Sequence, residues 1–501
     1  MELPWLLYAS LFLAIYLSTK HFFNRLRNLP PSPFLSLPFI GHLYLAKKPL
    51  YRALAKVAGG YGPVVLLQLG SRRVLVVSSP EAAEECLARN DVVFANRPDL
   101  LAGKHLGYNY TSLAWSSYGD HWRNLRKISS IEILSAHRLD LLRDIRAGEV
   151  RSLIGALNRA AEQRRPVDMK TAFFELTMNV MMRMIAGKRY YGENVVEVEE
   201  ARRFREITTE TLRIGSSNIG DFLPVVKWLG LGGVEKALME LQRKRNVFMQ
   251  ELLEGCRKRF AGEAAVGKAK TMIDMLLAFE EKEPENCSDA FIRSLMLTLL
   301  IAGTDTSAGT MEWALSLLVK NSGVLKKAQA EIDGRIGHDR LIDETDVSDL
   351  PYLRCIINET LRLYPAGPLL IPHASSEACT VGGYRVPAGT MLLVNIWAIQ
   401  NDPKQWEDAG KFRPERFEGV QGSREGFRLM PFGSGRRGCP GEGLALRMLG
   451  FGLGALIQCF DWEAEGPIDM SEGTGLTLPR ATPLMAVCRA RPVAEKILSQ
   501  I

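Results

Sequence analysis

The ten residues Phe432–Gly441 (FGSGRRGCPG) constrain this chain more than any other stretch of it. They set a single cysteine, Cys439, among glycines and arginines just before an apolar, helix-patterned run, Leu444–Leu456. Sulfur placed there lies near a helix N-terminus, where free backbone N–H groups and the positive dipole end favour an anion. Gly435, Gly438 and Gly441 permit a tight turn with positive φ and let a flat ligand approach the backbone. Arg437 supplies a cation for a carboxylate. On residues alone, the segment is either a Gly-rich surface loop with an incidental buried cysteine, or a cradle in which sulfur holds an iron porphyrin and Arg437 meets a propionate.

Composition narrows the setting. The chain has 501 residues, 47% of them hydrophobic, enough for a sizeable core. Its net charge of +7, from 63 basic and 56 acidic residues, is too modest for a nucleic-acid binder. It suits an anionic membrane surface or an acidic protein partner. The eight cysteines are scattered without C-x-x-C spacing, so neither a zinc site nor a disulfide framework is indicated, and a reducing compartment fits. Leu3–Leu17 is almost wholly apolar and is followed by Lys20, His21, Arg25 and Arg27. Cations after the run, with Glu2 before it, predict a single-pass anchor over residues 1–20 with a lumenal N-terminus and a cytosolic body. A cleaved signal peptide is the alternative. Pro30-Pro31-Ser32-Pro33, with Pro38 and Gly41, predicts a stiff non-helical hinge over 28–41.

Beyond the hinge, Val64–Leu69 and Arg73–Ser78 read as an antiparallel hairpin. Helical periodicity then dominates: Pro80–Arg89, Trp122–Ile131, Leu139–Arg164, Met169–Ile185, Val198–Ile214, Gly233–Arg259 and Ala290–Lys320. Ala261–Lys270 reads as a surface loop. Short strands are expected at Leu370–His373, Thr380–Val381, Tyr384–Val386, Met391–Val394 and Pro483–Cys488. The fold class is therefore mainly α with a minor β part, in one large domain.

Three further segments carry chemistry. Ala302-Gly303-Thr304-Asp305-Thr306-Ser307 interrupts an apolar helical run with an acid, two threonines and a glycine that costs about 1 kcal/mol against alanine. Small residues would let a flat ligand lie against the helix. An opened backbone turn would leave room for oxygen and water, with Thr306 as hydrogen-bond donor and Asp305 relaying protons from solvent. A polar cap or kink in a core helix is the plainer account. Glu359 and Arg362, three apart, share a helix face. Trp122 and Arg126, four apart, share another.

Together these segments resemble the signatures of the cytochrome P450 family of haem-thiolate monooxygenases. Residues 432–441 match F-x-x-G-x-R-x-C-x-G, and residues 302–307 match A-G-x-[DE]-T-[TS]. Glu359–Arg362 with Phe412–Phe417 resembles the E-x-x-R and P-E-R-F pair. Residues 118–126 and 398–403 are similar to plant microsomal members, notably the group of isoflavone hydroxylases and methylenedioxy-bridge-forming lignan enzymes. The resemblance implies the cytochrome P450 fold over 42–501 and haem b on Cys439. It implies that Phe432, Gly433, Gly441 and Ala302 line the haem, and that Arg437, Trp122, Arg126 and His373 meet its propionates. Thr306 and Asp305 become catalytic, and Glu359, Arg362 and Arg416 a structural network. Electrons would come from NADPH through a reductase flavoprotein docking on Arg123, Lys127, Arg436 and Arg447, with O2 as co-substrate, at the endoplasmic reticulum membrane. The implied pocket draws on Leu100–Leu113, Leu212–Phe222, Leu299–Ala302, Ala366–Leu370 and Leu476–Pro479, which suits a small apolar or aromatic substrate. Hydroxylation is the expected reaction. Phenol coupling and methylenedioxy bridging, a haem-thiolate isomerase or dehydratase, and a haem-binding protein without turnover stay open.

Overall fold

The computed structural model describes residues 3–192, 198–215, 217–229, 233–262, 271–420 and 422–501. Most of the expected loop Ala261–Lys270 lies outside them. The molecule is built around one long helix, Asp289–Lys320, whose apolar residues are spread around its circumference and which is buried over most of its length. Ser288 caps its N-terminus by accepting from Phe291 N–H. The Met169–Ala186 helix packs along it most extensively, and the Glu442–Cys459 helix crosses it as well. Leu295, Leu300, Met311 and Leu315 belong to one hydrophobic core with Met178, Met182, Phe451 and Leu456, all at or near complete burial.

Gly303 belongs to this packing. A Cβ on it would stand 2.7 Å from Met181 Sδ, so its missing side chain seats the neighbouring helix and does not make room for a flat ligand. The expected opened turn is also absent, because the helix is continuous across Ala302–Ser307.

The sheet component sits to one side. Strands β1 (Val64–Leu69) and β2 (Arg72–Val77) form the expected antiparallel hairpin. A third sheet strand is short β3 (Val167–Asp168), followed by β4 (His373–Ala374), β5 (Cys379–Val381), β6 (Tyr384–Val386), β7 (Met391–Val394), β8 (Phe460–Ala464) and β9 (Met485–Ala490). The main sheet runs β1-β2-β7-β4, with β7 parallel to β2 and antiparallel to β4. The expected strand Leu370–His373 shrinks to His373–Ala374, because Leu370 has φ +55° and breaks the extended chain.

Other boundaries shift for local reasons. The expected Leu139–Arg164 helix divides at Leu142 into Ala136–Leu141 and Arg143–Glu162. Helices Leu50–Tyr61, Met272–Lys282 and Ser322–Ile336, and strand β8, were not anticipated. The proline-rich hinge is non-helical as expected but is stitched to the sheet: Leu66 N–H donates to Pro31 O at 2.9 Å, and His42 Nε2 lies 2.9 Å from Pro33 O. The N-terminal helix runs Leu3–Leu26, beyond the expected anchor, and carries Lys20, His21 and Arg25 in its last turns. Among the described residues no helix is long and apolar enough to cross a membrane.

Candidate active site

The cysteine loop is shaped by its own backbone. Cys439 N–H donates to Phe432 O at 2.8 Å, and Gly433 (φ +71°) donates to Met430 O at 2.9 Å. Gly435, at φ +67°, lies against the Leu87 carbonyl so closely that a Cβ would collide with it. Gly441 caps the Glu442–Cys459 helix and directs its N–H at the sulfur. Cys439 is accessible, yet its accessible face lies inside the molecule, and burial pushes its thiol pKa up while the Gly441 N–H pulls it back. Bound iron would resolve that tension by favouring the thiolate.

Beside this loop the structure gathers cations without carboxylates. Arg437 donates through Nε to Ala95 O at 2.8 Å and also to Ser116 O, and its buried Nη1 has no partner. Arg126 donates to Gly438 O at 2.6 Å. Burial and the neighbouring Arg97 and Arg126 drive the Arg437 pKa down to about 8. Trp122 stacks 4.2 Å beneath the Arg437 guanidinium, while its own Nε1 donates to Leu113 O at 3.2 Å. In this arrangement Trp122 orients Arg437. His373 is buried, places Nδ1 2.8 Å from Phe94 O, and has its pKa pushed well below the usual value by burial and by Arg97 and Arg437.

Arg97 was missed in the sequence, where the only signal is a cation before Pro98 in a largely apolar stretch. It is buried, donates to Ala114, Ile371 and Pro372 carbonyls, and has a pKa lowered by burial to about 9. Burying several guanidinium groups without counter-charge costs several kcal/mol each. A dianionic ligand beside Cys439 offsets that cost, so the residues present fit a porphyrin with two propionates.

On the central helix, Ala302 is exposed although the helix around it is buried, which marks an internal space. Thr306 Oγ1 donates to Ala302 O at 2.6 Å. Asp305 accepts from Thr477 Oγ1 at 2.8 Å; burial raises its pKa, and Thr477 and Lys170 partly oppose that shift. A buried acid whose pKa is raised, beside a threonine, is suited to carrying a proton.

The structural network forms as expected. Arg362 clasps Glu359 through Nε at 2.6 Å and Nη2 at 2.9 Å, and Arg416 Nε reaches the same carboxylate at 3.1 Å. The expected basic docking patch is weaker than its sequence suggests. Arg123 pairs with Asp120, Arg436 with Asp91 at 2.9 Å, and Arg447 with Asp140 and Glu344. Three of its four cations already have acidic partners.

The family model described as Cytochrome P450 matches residues 30–487. The chain belongs to the cytochrome P450 family. It is 48% identical to "Cytochrome P450 81Q32" of Catharanthus roseus, with 100% of both chains covered. It is 46% identical to "Isoflavone 3'-hydroxylase" of Medicago truncatula, covering 98% of each, and 46% identical to "(+)-piperitol/(+)-sesamin synthase CYP81Q2" of Sesamum radiatum, covering 95% and 94%. A zebra fish cytochrome P450 solved with progesterone superposes with a TM-score of 0.77 over 88% of this chain and 100% of that one; at 24% identity this likeness speaks to the fold alone. As a cytochrome P450 the chain is a haem-thiolate monooxygenase that uses haem b, O2, electrons from a redox partner and a small-molecule substrate.

Proposed function

We propose that this cytochrome P450 hydroxylates a small aromatic plant secondary metabolite, a phenolic, flavonoid or polyketide-derived compound of the benzophenone or xanthone type. The observation that carries this reading is the near full-length similarity to an isoflavone hydroxylase, joined to a cluster of buried cations beside Cys439 that lack carboxylate partners among the described residues. Cys439 would hold the haem, which when bound would supply the oxygen-activating chemistry, with the thiolate contributing electron density. The chain's own residues do the rest. Arg97, Arg126, Arg437 and His373 hold the propionate side. Ala302 leaves room beside the central helix, Thr306 offers a hydroxyl there, and Asp305 moves protons inward. One oxygen atom enters the substrate and the other leaves as water, with two electrons from NADPH through a cytochrome reductase. The intact Asp305–Thr306 pair disfavours an isomerase or dehydratase, which needs no proton delivery to oxygen. Similarity to the piperitol/sesamin synthase keeps methylenedioxy bridging as the second reading, since it uses the same oxidant.

Supplying the haem-loaded chain, reductase and NADPH with a panel of isoflavones, benzophenones and lignans tests both. Products heavier than substrate by one oxygen atom are expected. Loss of two hydrogens without oxygen gain marks bridging or coupling, and no NADPH-dependent product from any compound contradicts the proposal.

We also propose a three-part organisation: an anchor over 1–20, a hinge over 28–41 and a catalytic domain over 42–501, held on the cytosolic face of the endoplasmic reticulum. The exposed apolar surface supports a membrane-facing end. The β1–β2 turn bonds Ile40 O through Gly70 N–H and Phe222 O through Ser71 N–H. It thereby brings Phe39, 93% exposed, to the same end as Trp228, 84% exposed. Deleting residues 1–26 is expected to leave the protein membrane-associated but extractable by high salt or mild detergent. Complete solubility in fractionation would remove the body from the membrane contact.

A further inference from the structure

Thr477 lies far from the motifs, in the irregular segment between β8 and β9, yet it is the side chain bonded to Asp305. That segment is fastened on both sides of Thr477. Before it, Glu472 receives Arg52 Nε at 2.6 Å and Nη2 at 2.9 Å, together with the Tyr51 hydroxyl. After it, Leu478 N–H donates to Ala366 O at 3.1 Å, and Leu478 O accepts from Trp313 Nε1 at 2.8 Å. Trp313 is on the central helix itself, two turns beyond Asp305, and stacks on Tyr364 with ring centroids 3.7 Å apart. The threonine is therefore held at a fixed height beside the acid and does not reach it by chance of a mobile loop.

We propose that Thr477 is a positioning residue for the monooxygenase reaction, its hydroxyl holding Oδ2 of Asp305 so that the acid carries and releases its proton at Oδ1. A carboxyl buried without such a partner is free to rotate and to place its proton on either oxygen. With Oδ2 occupied by a donated O–H, only Oδ1 is left to act as donor. Each proton that Oδ1 releases inward is replaced by one from solvent, so the carboxyl is unchanged after a cycle. The electrons and oxygen remain those of NADPH and O2. Because Thr477 sits in a stretch expected to line the substrate pocket, seating a substrate against this segment would also adjust the acid.

The proposal rests on the reading of Asp305 as proton relay, and the experiment separates the two. Full-length holoenzyme with reductase and NADPH is compared as wild type, Thr477→Val, Thr477→Ser and Asp305→Asn. Peroxide released per NADPH consumed is measured with and without an isoflavone. The infrared band of the Asp305 carboxyl, assigned by difference against Asp305→Asn, is followed against pH. The donated hydrogen bond favours the ionised acid, and Lys170 is the charged group acting on it from the packed Met169–Ala186 helix. Removing the hydroxyl therefore moves the titration upward.

Thr477→Val is expected to release several times more peroxide per NADPH and to titrate at higher pH, with Thr477→Ser restoring both. A valine variant identical to wild type in both readouts overturns the proposal, as does a serine variant that behaves like valine. If Asp305→Asn leaves the peroxide ratio unchanged, the relay reading fails, and the infrared titration alone then decides whether Thr477 governs the acid.

Discussion

Cys439→Ser is expected to abolish the carbon-monoxide absorption band characteristic of thiolate ligation and, with it, all NADPH-dependent oxygen transfer. The change is nearly isosteric, and the backbone contacts that shape the loop, Cys439 N–H to Phe432 O and Gly433 N–H to Met430 O, do not involve the sulfur. Far-ultraviolet circular dichroism should therefore match the wild type. What serine cannot supply is the soft, electron-rich donor that favours O–O scission. A variant that keeps the band would mean that another side chain ligates the iron. A variant that loses the band but still oxygenates substrate would detach the chemistry from the sulfur.

The second large effect falls on the Glu359 network, where no chemistry occurs. Both Glu359 and Arg362 are wholly excluded from solvent. Arg362 also donates to Gln400 O at 2.8 Å, and Glu359 accepts the backbone N–H of Arg413 at 2.9 Å. Truncating either partner strands the other as an unpaired buried charge, which typically costs about 3–5 kcal/mol. Against a total stability of about 5–15 kcal/mol, Arg362→Ala should lower the denaturation midpoint sharply and leave little haem-loaded protein at 37 °C. Arg362→Lys should recover only part of this, since an ammonium cannot make the paired contacts of a guanidinium. A loss below about 1 kcal/mol would assign the pair the energetics of an exposed bridge.

The segments that could be read along the chain were those whose constraints are local. The β1–β2 hairpin announces itself by β-branched residues around Gly70-Ser71, and the cysteine loop by Gly435, whose φ is positive as expected. Gly438 (φ −54°) and Gly441 (φ −92°) instead keep ordinary backbone, and the second left-handed glycine is Gly433. The Leu50–Tyr61 helix was hidden by Gly59 and Gly60, and it is held by tertiary packing of Leu54 and Tyr51 rather than by propensity. Gly303 was legible as unusual, but its partner Met181 lies on a different helix, so its purpose was misread. Arg97 and Thr477 gave almost no signal, because each meets a partner far along the chain, Arg97 the Ile371 carbonyl 274 positions on and Thr477 the Asp305 carboxyl 172 positions back. For the basic docking patch the cations were visible in the sequence, and the acidic partners Asp91, Asp140 and Glu344 that weaken it were not.

The haem cradle joins residues from the two ends of the chain. Arg126 meets Gly438 across 312 positions, and Arg437 meets Ala95 across 342. Loop closure over such spans comes late. During translation, a nascent polypeptide whose first four hundred residues have emerged carries Arg97, Arg126 and His373 but still lacks the sulfur and Arg437. Prosthetic-group capture therefore belongs to the finished chain, and the ribosome must hand over a colourless apoprotein whose clustered arginines await their counter-ions.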